Sequence, residues 1–264
     1  MEIAGIGRSL VVLCCLTLSV GRLAAKNFCP PLPPDGERPI SWKRVVPNIL
    51  CDQKTIWTFP WRLAQGDHLL ATSAVAGVTT GLVLLDPSTA PYFRRTTTFH
   101  TFNQVMSSNN TEWVIALVPA SFYALSLLRR DTYGQHTVLL AGEALFDSEL
   151  LAIAVKDATR RLQPVNIAPN GNFSDSWFKQ NVSLKAGLLS GIGSFPSGHE
   201  IAAMSIATVF AERYRKHRWV PYVAFGAAAL IGFSRLTLSA HFPSDVFLGA
   251  ALGYSISRFT VLEH

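Results

Sequence analysis

The sequence predicts an all-α protein, folded as a single bundle of about six core helices. Six apolar stretches, each long enough for a helix, lie at about 68–86, 113–130, 136–162, 199–216, 219–233 and 245–259. Turn-forming residues separate them, including Asp86-Pro87-Ser88 and an Asn- and Gly-rich segment at 166–176. No stretch of comparable length alternates apolar and polar residues as a strand would. Helices around one core are the simplest arrangement of this pattern.

Two shorter segments precede the helical domain, which covers residues 67–264. Residues 1–25 are typical of a secretory signal peptide, because Arg8 precedes an apolar run and Leu23-Ala24-Ala25 offers a cleavage site. An uncleaved membrane anchor is the alternative. Residues 26–66 are rich in Pro and Trp, which predicts an extended arm with short helical pieces at most.

Cysteine usage fits an exported protein. Cleavage of the signal peptide would leave Cys29 and Cys51, an even pair. An oxidising compartment favours a disulfide between them, and two unrelated free thiols are the alternative.

The composition limits the classes of partner. Charged residues make up 15% of the chain, against roughly 25% in soluble proteins, so a large apolar core or a membrane is indicated. The net charge of +6 suits an anionic substrate or an anionic membrane surface. The Lys and Arg residues form no long basic run, and we therefore expect no nucleic-acid partner.

The apolar stretches leave membrane insertion open. Most are shorter than the roughly 20 residues of a comfortable span, and the third contains Glu143, Asp147 and Glu149, which lipid would not accept readily. We therefore expect an exported periplasmic or secreted protein, with an integral or peripheral membrane protein as the alternative. Gly249 and Gly253, four residues apart, allow close helix packing in either setting.

Three segments in the second half carry residues suited to phosphate chemistry. In the first, Lys156, Arg160 and Gln163 would share one helix face, and Pro164 would end the helix. Two cations and an amide would then lie at a helix terminus. A solvated basic helix end is the alternative.

The second segment is Phe195-Pro196-Ser197-Gly198-His199-Glu200. Ser197 and Glu200 have the spacing of a capping box, so a helix should begin here. A helix start is also an anion site, and Gly198 lets the backbone approach a ligand closely. His199 would then stand beside a bound anion.

The third segment runs from Ser234-Arg235 to Asp245. Pro243 suits the first turn of a helix, with Asp245 inside that turn and His241 just before it. The carboxylate can accept the N–H of one imidazole nitrogen and leave the other nitrogen free as a nucleophile. Arg235 offers a planar fork for phosphate oxygens.

Taken together, the segments resemble the signature of the superfamily of type 2 phosphatidic acid phosphatases and vanadium haloperoxidases. That signature reads Lys-x6-Arg-Pro, then Pro-Ser-Gly-His, then Ser-Arg-x5-His-x3-Asp. Residues 196–199 and 234–245 match the second and third parts completely. The resemblance covers roughly residues 67–260. Within the superfamily, the chain is similar to class A non-specific acid phosphatases and lipid phosphate phosphatases.

The resemblance implies a role for each matching residue. His241 would attack phosphorus and form a phosphohistidine, Asp245 would orient His241, and His199 would protonate the leaving oxygen and then activate water. The phosphate oxygens would be held by Lys156, Arg235, Ser197 and the backbone N–H of Gly198. Side-chain cations and a helix start would supply the charge, so neither a metal ion nor a cofactor is expected. The implied substrate is a phosphorylated small molecule or a lipid phosphate.

One position departs from the signature. Gln163 stands where the pattern has Arg, and the loss of a charged hydrogen bond could weaken phosphate binding about tenfold or more. Arg160, one turn earlier, is the candidate to replace the missing cation.

Two alternatives to a phosphatase remain. A vanadium haloperoxidase would hold vanadate at His241, although the absence of an Arg at 163 argues against tight binding. A weakened member with a binding role is the other, and Gln163 is its support.

Overall fold

The computed structural model describes residues 38–179 and 190–263. The predicted signal peptide and Cys29 lie outside these ranges. Within them the secondary structure is helical and contains no strand, so the all-α prediction is confirmed. The α-helices in this part of the chain are α1 (Trp42–Ala64), α2 (Leu69–Arg95), α3 (His100–Val105), α4 (Ser108–Leu128), α5 (Thr132–Thr159), α6 (Gly198–Arg213), α7 (Trp219–Thr237) and α8 (Pro243–Ile256).

Helix α1 replaces most of the predicted extended arm, and that prediction was wrong. Pro47 and Pro60 lie inside the helix, where each removes one backbone hydrogen bond. Packing against α5 offsets this cost, because α1 buries Asn48, Asp52 and Ile56 on the inner side. Cys51, also on α1, is disulfide-bonded.

Helix α2 continues past the turn predicted at Asp86-Pro87-Ser88 and ends at Arg95. The residue before a proline usually avoids the helical region, which is why a boundary was expected there. Asp86 is instead fully buried and hydrogen-bonded to the backbone N–H of Ser244 on α8. This tertiary contact holds the chain in helical form across the proline.

Helix α6 lies at the centre of the bundle and packs against α5, α7 and α8. Its contact with α8 is close because two glycines face it. A Cβ on Gly249 would lie 2.8 Å from the carbonyl oxygen of Ser197, and one on Gly253 would lie 2.6 Å from that of Ile201. The expected close helix approach is thus present, and it fixes the start of α6 beside the start of α8.

Acidic residues on α5 pair inside the protein rather than facing outward. Asn48 donates a hydrogen bond to Glu143 at 3.0 Å, and Gln53 donates one to Asp147 at 2.8 Å. Both carboxylates are completely buried. The acidic character of this stretch therefore does not argue against a membrane, because lipid would not contact these groups.

Within residues 38–179 and 190–263, three helices are long and apolar enough to cross a membrane: α2, α4 and α7. Only 6% of the most apolar window of α2 is buried within the protein, so most of this apolar surface faces outward. A soluble protein rarely leaves so much contiguous apolar surface exposed. Membrane association, the alternative to a soluble exported protein, is the better account of the chain.

Candidate active site

A cavity of about 290 Å³ lies where α5 and α7 end and where α6 begins. Cationic and imidazole side chains dominate its polar lining. The residues that line it are Ser108, Lys156, Gln163, Gly191, Ile192, Gly193, Gly198, His199, Arg235, Ala240 and His241. All three predicted segments therefore contribute to one cavity.

His241 lies just before α8 and is almost fully buried, with 6% of its surface exposed. Its Nδ1 is 2.8 Å from the carbonyl oxygen of Ser194. A carbonyl oxygen only accepts, so Nδ1 carries the proton and Nε2 keeps its lone pair. The geometry thus gives His241 the tautomer that a nucleophile needs.

Asp245 lies in the first turn of α8 and is completely buried. Its Oδ2 accepts the backbone N–H of Phe242 at 2.8 Å and the hydroxyl hydrogen of Ser194. The same oxygen is 3.6 Å from Nδ1 of His241, an ion-pair distance rather than a hydrogen bond. Burial would raise the pKa of Asp245, but the contacts with His241 and Arg161 outweigh it and hold the pKa below its usual range.

Lys156 reaches the cavity from the last turn of α5. Its Nζ lies against the start of α6, since a Cβ on Gly198 would be only 3.0 Å away. Burial lowers the pKa of Lys156, while Glu149 and Asp245 act to raise it. A cation and a helix N-terminus therefore meet at one wall of the cavity, which favours a bound anion.

Ser197 does not make the predicted capping box. Its hydroxyl has no hydrogen-bond partner in the described structure, and Ser197 is not among the residues that line the cavity. Glu200 points towards α7 instead, where a Cβ on Gly232 would be 2.5 Å from its Oε2. The close packing of α6 on α7 draws this carboxyl away from the helix start.

His199 follows Gly198 and lines the cavity. Its Nε2 is 3.4 Å from the carbonyl oxygen of Ser108 and 3.4 Å from Oε1 of Glu112. Burial, assisted by the positive charge of Arg235, lowers the pKa of His199 to about 4. The imidazole is therefore neutral at neutral pH.

Arg235 is fully buried near the end of α7. Its guanidinium donates to the hydroxyls of Ser108 and Thr111 at 3.0 Å and 2.9 Å, and to the carbonyl oxygen of Met106 at 2.9 Å. The connection between α3 and α4, together with the first turn of α4, thus anchors this cation in one orientation. No sequence pattern indicated that support.

Arg160 and Gln163 do not share a helix face with Lys156, because α5 ends at Thr159. Arg160 is the left-handed cap of that helix, with φ of 44°. Its side chain is exposed and bonds back to the carbonyl oxygen of Asp157. Only Gln163 of the two lines the cavity, so Arg160 does not stand in for the missing cation.

Comparison with known proteins adds a second kind of evidence. Residues 137–263 match the PAP2 superfamily, and this range contains all three segments of the cavity. This part of the chain, just under half of its length, is similar to the PAP2 superfamily.

Individual proteins of known name match parts of the chain. A lipid A 1-phosphatase of Rhizobium etli is 34% identical over 44% of this chain and 46% of its own length. Another from Rhizobium johnstonii is 34% identical over 44% of this chain and 43% of its own. An undecaprenyl-diphosphatase of Bacillus subtilis is 38% identical over 26% of this chain and 36% of its own. The chain thus spans less than half the length of these relatives.

A solved PAP2 structure is also similar. It is a transmembrane PAP2-type phosphatidylglycerolphosphate phosphatase from Bacillus subtilis, 22% identical, with a TM-score of 0.38. The similarity covers 78% of this chain and 92% of that one.

Several residues that line this cavity, or that contact the histidines lining it, were not predicted from sequence. Ser108 and Glu112 come from the start of α4, and Ser194 comes from the irregular segment before α6. No local pattern marks them, because they meet the motif residues only through tertiary packing. Among the described residues, no three His, Cys, Asp or Glu side chains are grouped in a way that could hold a metal ion.

Proposed function

We propose that the chain is a phosphatase that hydrolyses lipid phosphates through a phosphohistidine on His241, without a metal ion. One observation carries the proposal. The three helices that present Ser108, His199 and Arg235 to the cationic cavity also line a large apolar groove. A molecule with a phosphate at one end and a hydrocarbon chain at the other fits such a pair of sites.

The reaction follows from the two imidazoles. Nε2 of His241 attacks phosphorus, an N–P bond forms, and the bond between phosphorus and the alcohol oxygen breaks. His199 passes a proton to that oxygen as the alcohol leaves. His199 then takes a proton from water, whose oxygen attacks the phosphohistidine and releases phosphate. His199 receives the first proton from the substrate monoanion, because its imidazole is neutral in the free enzyme, and it gives the proton taken from water to the departing phosphate.

Positive groups would stabilise the charge that spreads over the phosphoryl oxygens. Lys156 and Arg235 line the cavity, and the backbone N–H groups at the start of α6 adjoin Lys156. Phosphoryl transfer depends mainly on positioning and on such stabilisation. These groups would replace the charge that a metal ion supplies in other phosphatases.

The apolar groove has a volume of about 530 Å³ and lies between α4, α6 and α7. It starts close to the cavity, because Ala203 is one helical turn from His199 and Ile231 is one turn from Arg235. Apart from the tips of residues such as Tyr214 and His217 at the far end, its lining is aliphatic and aromatic. A hydrocarbon chain attached to the bound phosphate would occupy this groove.

Charge at the helix ends favours an active site on the outer face of the membrane. The short connections 96–107 and 238–242, at the cavity end, contain no Lys or Arg. The basic residues near that end are Arg94 and Arg95 in the last turn of α2 and Arg160 and Arg161 after α5, of which Arg161 is buried and ion-paired. At the opposite end, the connection 129–131 contains two Arg and 214–218 contains Arg215, Lys216 and Arg218. Short connections rich in Lys and Arg stay in the cytoplasm. This supports the expected extracytoplasmic placement of the cavity.

The relatives support a lipid substrate. The Rhizobium proteins are phosphatases of lipid A, and the Bacillus subtilis protein is a diphosphatase of undecaprenyl diphosphate. We infer a substrate of the same class, a phosphate group on a long hydrocarbon or acylated lipid.

The test is phosphate release in the presence of a chelator, from a long-chain lipid phosphate in mixed micelles and from a soluble aryl phosphate. We expect turnover of the lipid phosphate, inhibition by vanadate, and loss in His241→Ala. Absence of vanadate-sensitive hydrolysis from both substrates would refute the proposal. Hydrolysis that stops on chelation and returns with a divalent cation would refute its metal-free part.

Orientation is tested with single cysteines and a membrane-impermeant maleimide on intact cells. Asn170→Cys places the thiol in the exposed connection at the cavity end, and Lys216→Cys places it at the opposite end. We expect labelling at 170 and none at 216 until the membrane is opened. The reverse pattern would contradict the outward orientation.

A further inference from the structure

A buried arginine joins the catalytic turn of α8 to helix α2. The guanidinium of Arg161 lies 2.6 Å from Oδ2 of Asp86 and 2.6 Å from Oδ1 of Asp245. Exposure of the three side chains is 1% or less. Ser244 also bridges the pair, since it accepts a hydrogen bond from Arg161 at 2.8 Å and donates one to Asp86.

Aromatic rings fix the plane of this guanidinium. Its Cζ lies 3.8 Å from the ring centroid of Phe242 and 4.3 Å from that of Trp177. These are cation–π distances, and they favour a single orientation of the fork. Nε of Arg161 donates to the hydroxyl of Ser176 at 3.2 Å. The arginine therefore has no freedom to turn into the cavity as a phosphate ligand.

This arrangement divides the two oxygens of Asp245 between two tasks. Oδ1 faces Arg161, and Oδ2 faces Nδ1 of His241 and the hydroxyl of Ser194. The carboxylate next to the nucleophile is thus both held in place and partly neutralised by an arginine. Asp86 in turn shares the charge of that arginine, from a helix that contributes no residue to the cavity lining among the described residues.

We propose that Arg161 and Asp86 are positioning residues for the nucleophile, which set the orientation and the net charge of the pair formed by Asp245 and His241. The proposal rests on the proposed function of His241. It assigns a task to Arg161, which lies outside the matching parts of the signature, and to Asp86, which lies in a predicted turn. Neither residue touches the substrate.

Charge predicts opposite effects for the two residues. Without Arg161, Asp245 would favour the imidazolium form of His241, which cannot attack, so the acid limb of the pH–rate profile would move to higher pH. Without the charge of Asp86, Arg161 would neutralise Asp245 more fully, and the limb would move to lower pH. The other charged or titratable groups around this pair stay unchanged in both variants: Lys156 on α5, His199 on α6 and Arg235 on α7.

The experiment compares kcat/KM against pH for wild type, Asp86→Asn, Arg161→Met and Arg161→Lys. We expect the acid limb of the pH–rate profile to move to lower pH by about half a unit or more in Asp86→Asn. In Arg161→Met it should move to higher pH by a similar amount. Arg161→Lys keeps the charge and should leave the limb near its wild-type position, with a lower kcat. The proposal would be overturned if the acid limb stayed at the same pH in Asp86→Asn and Arg161→Met, or if it moved in the same direction in both.

A second readout separates this proposal from the proposed function. In protein labelled at the histidine rings, the His241 resonance is identified by its loss in His241→Ala, and its titration is followed by NMR. We expect the titration of this resonance to move to lower pH in Asp86→Asn and to higher pH in Arg161→Met. This result does not depend on whether the enzyme hydrolyses a given phosphoester. If size-exclusion chromatography shows that Arg161→Met fails to fold, Asp86→Asn and Arg161→Lys still test the proposal. A shift to higher pH, or no shift, in Asp86→Asn would contradict the proposal.

Discussion

The carbonyl oxygen of Ser194 lies 2.8 Å from Nδ1 of His241, whereas the nearest oxygen of Asp245 is 3.6 Å away. The main chain rather than the carboxylate therefore takes the imidazole N–H. The sequence had suggested that Asp245 would take it. A backbone acceptor cannot change its protonation, so the tautomer of His241 is fixed at any pH at which the ring is neutral.

Ser194 also reaches Asp245 through its hydroxyl. We expect Ser194→Ala to lower kcat about tenfold or more with little change in KM, because a hydrogen bond to a charged group contributes roughly 1.5–3 kcal/mol. Steady-state kinetics on a lipid phosphate checks this. The matched control is Ser190→Ala, whose hydroxyl bonds to Asp157 instead. Equal kcat in the two variants would argue against a role for the Ser194 hydroxyl.

The cavity lacks one cation at Gln163, and Arg160 does not replace it. We expect Gln163→Arg to tighten binding of vanadate and to lower KM by about tenfold, because a charged hydrogen bond exceeds a neutral one by roughly 1 kcal/mol or more. Arg160→Ala should change neither, since its side chain is exposed and outside the cavity. A large loss of activity in Arg160→Ala would restore the compensation hypothesis that the structure disfavours.

The pKa of His199, lowered to about 4 by burial and by Arg235, predicts a specific pH dependence. The free enzyme holds His199 neutral above pH 4, so the proton for the leaving alcohol has to enter with the monoanion of the substrate. We expect kcat/KM to fall as pH rises through the second ionisation of the phosphoester, which is near 6 for ordinary phosphomonoesters.

The measurement is kcat/KM against pH for two phosphoesters that differ in this second ionisation. The descending limb should follow the ionisation of each substrate. A limb that stays at one pH for both substrates would assign the proton to an enzyme group instead.

The groove predicts selectivity for long-chain substrates. Ala227 lines the groove and is exposed, so Ala227→Trp would fill it without disturbing the buried core. We expect kcat/KM for a long-chain lipid phosphate to fall about tenfold or more, with a short soluble phosphoester unaffected. Ala229→Trp, exposed on the same helix but outside the groove lining, is the control. Equal losses on both substrates would contradict the assignment.

The sequence predicted the bundle well where long apolar runs mark a helix, as in α4 to α8. It failed at α1 and at the second half of α2, because Pro47 and Pro87 suggested breaks that tertiary packing overrides. The three motif segments were expected to meet, and Lys156 and His241 do line one cavity.

The residues that hold the motif residues in place could not be predicted from sequence patterns. The pairing of Arg161 with Asp86 joins residues 75 positions apart, and no periodicity connects them. The backbone carbonyl of Ser194 carries no side-chain signature at all. These contacts arise only when α2, α8 and the segment before α6 pack together.

The central claim is a covalent phosphate on His241, and a trapped intermediate tests it most directly. The His199→Ala variant should accumulate the intermediate, because it lacks the base that activates water. Alkaline quenching after brief exposure to substrate, followed by peptide mass spectrometry, should locate phosphate on the peptide that contains His241, and none should form in His241→Ala. Wild-type hydrolysis with no phosphate on that peptide in the His199→Ala variant, or with phosphate on another residue, would contradict the account.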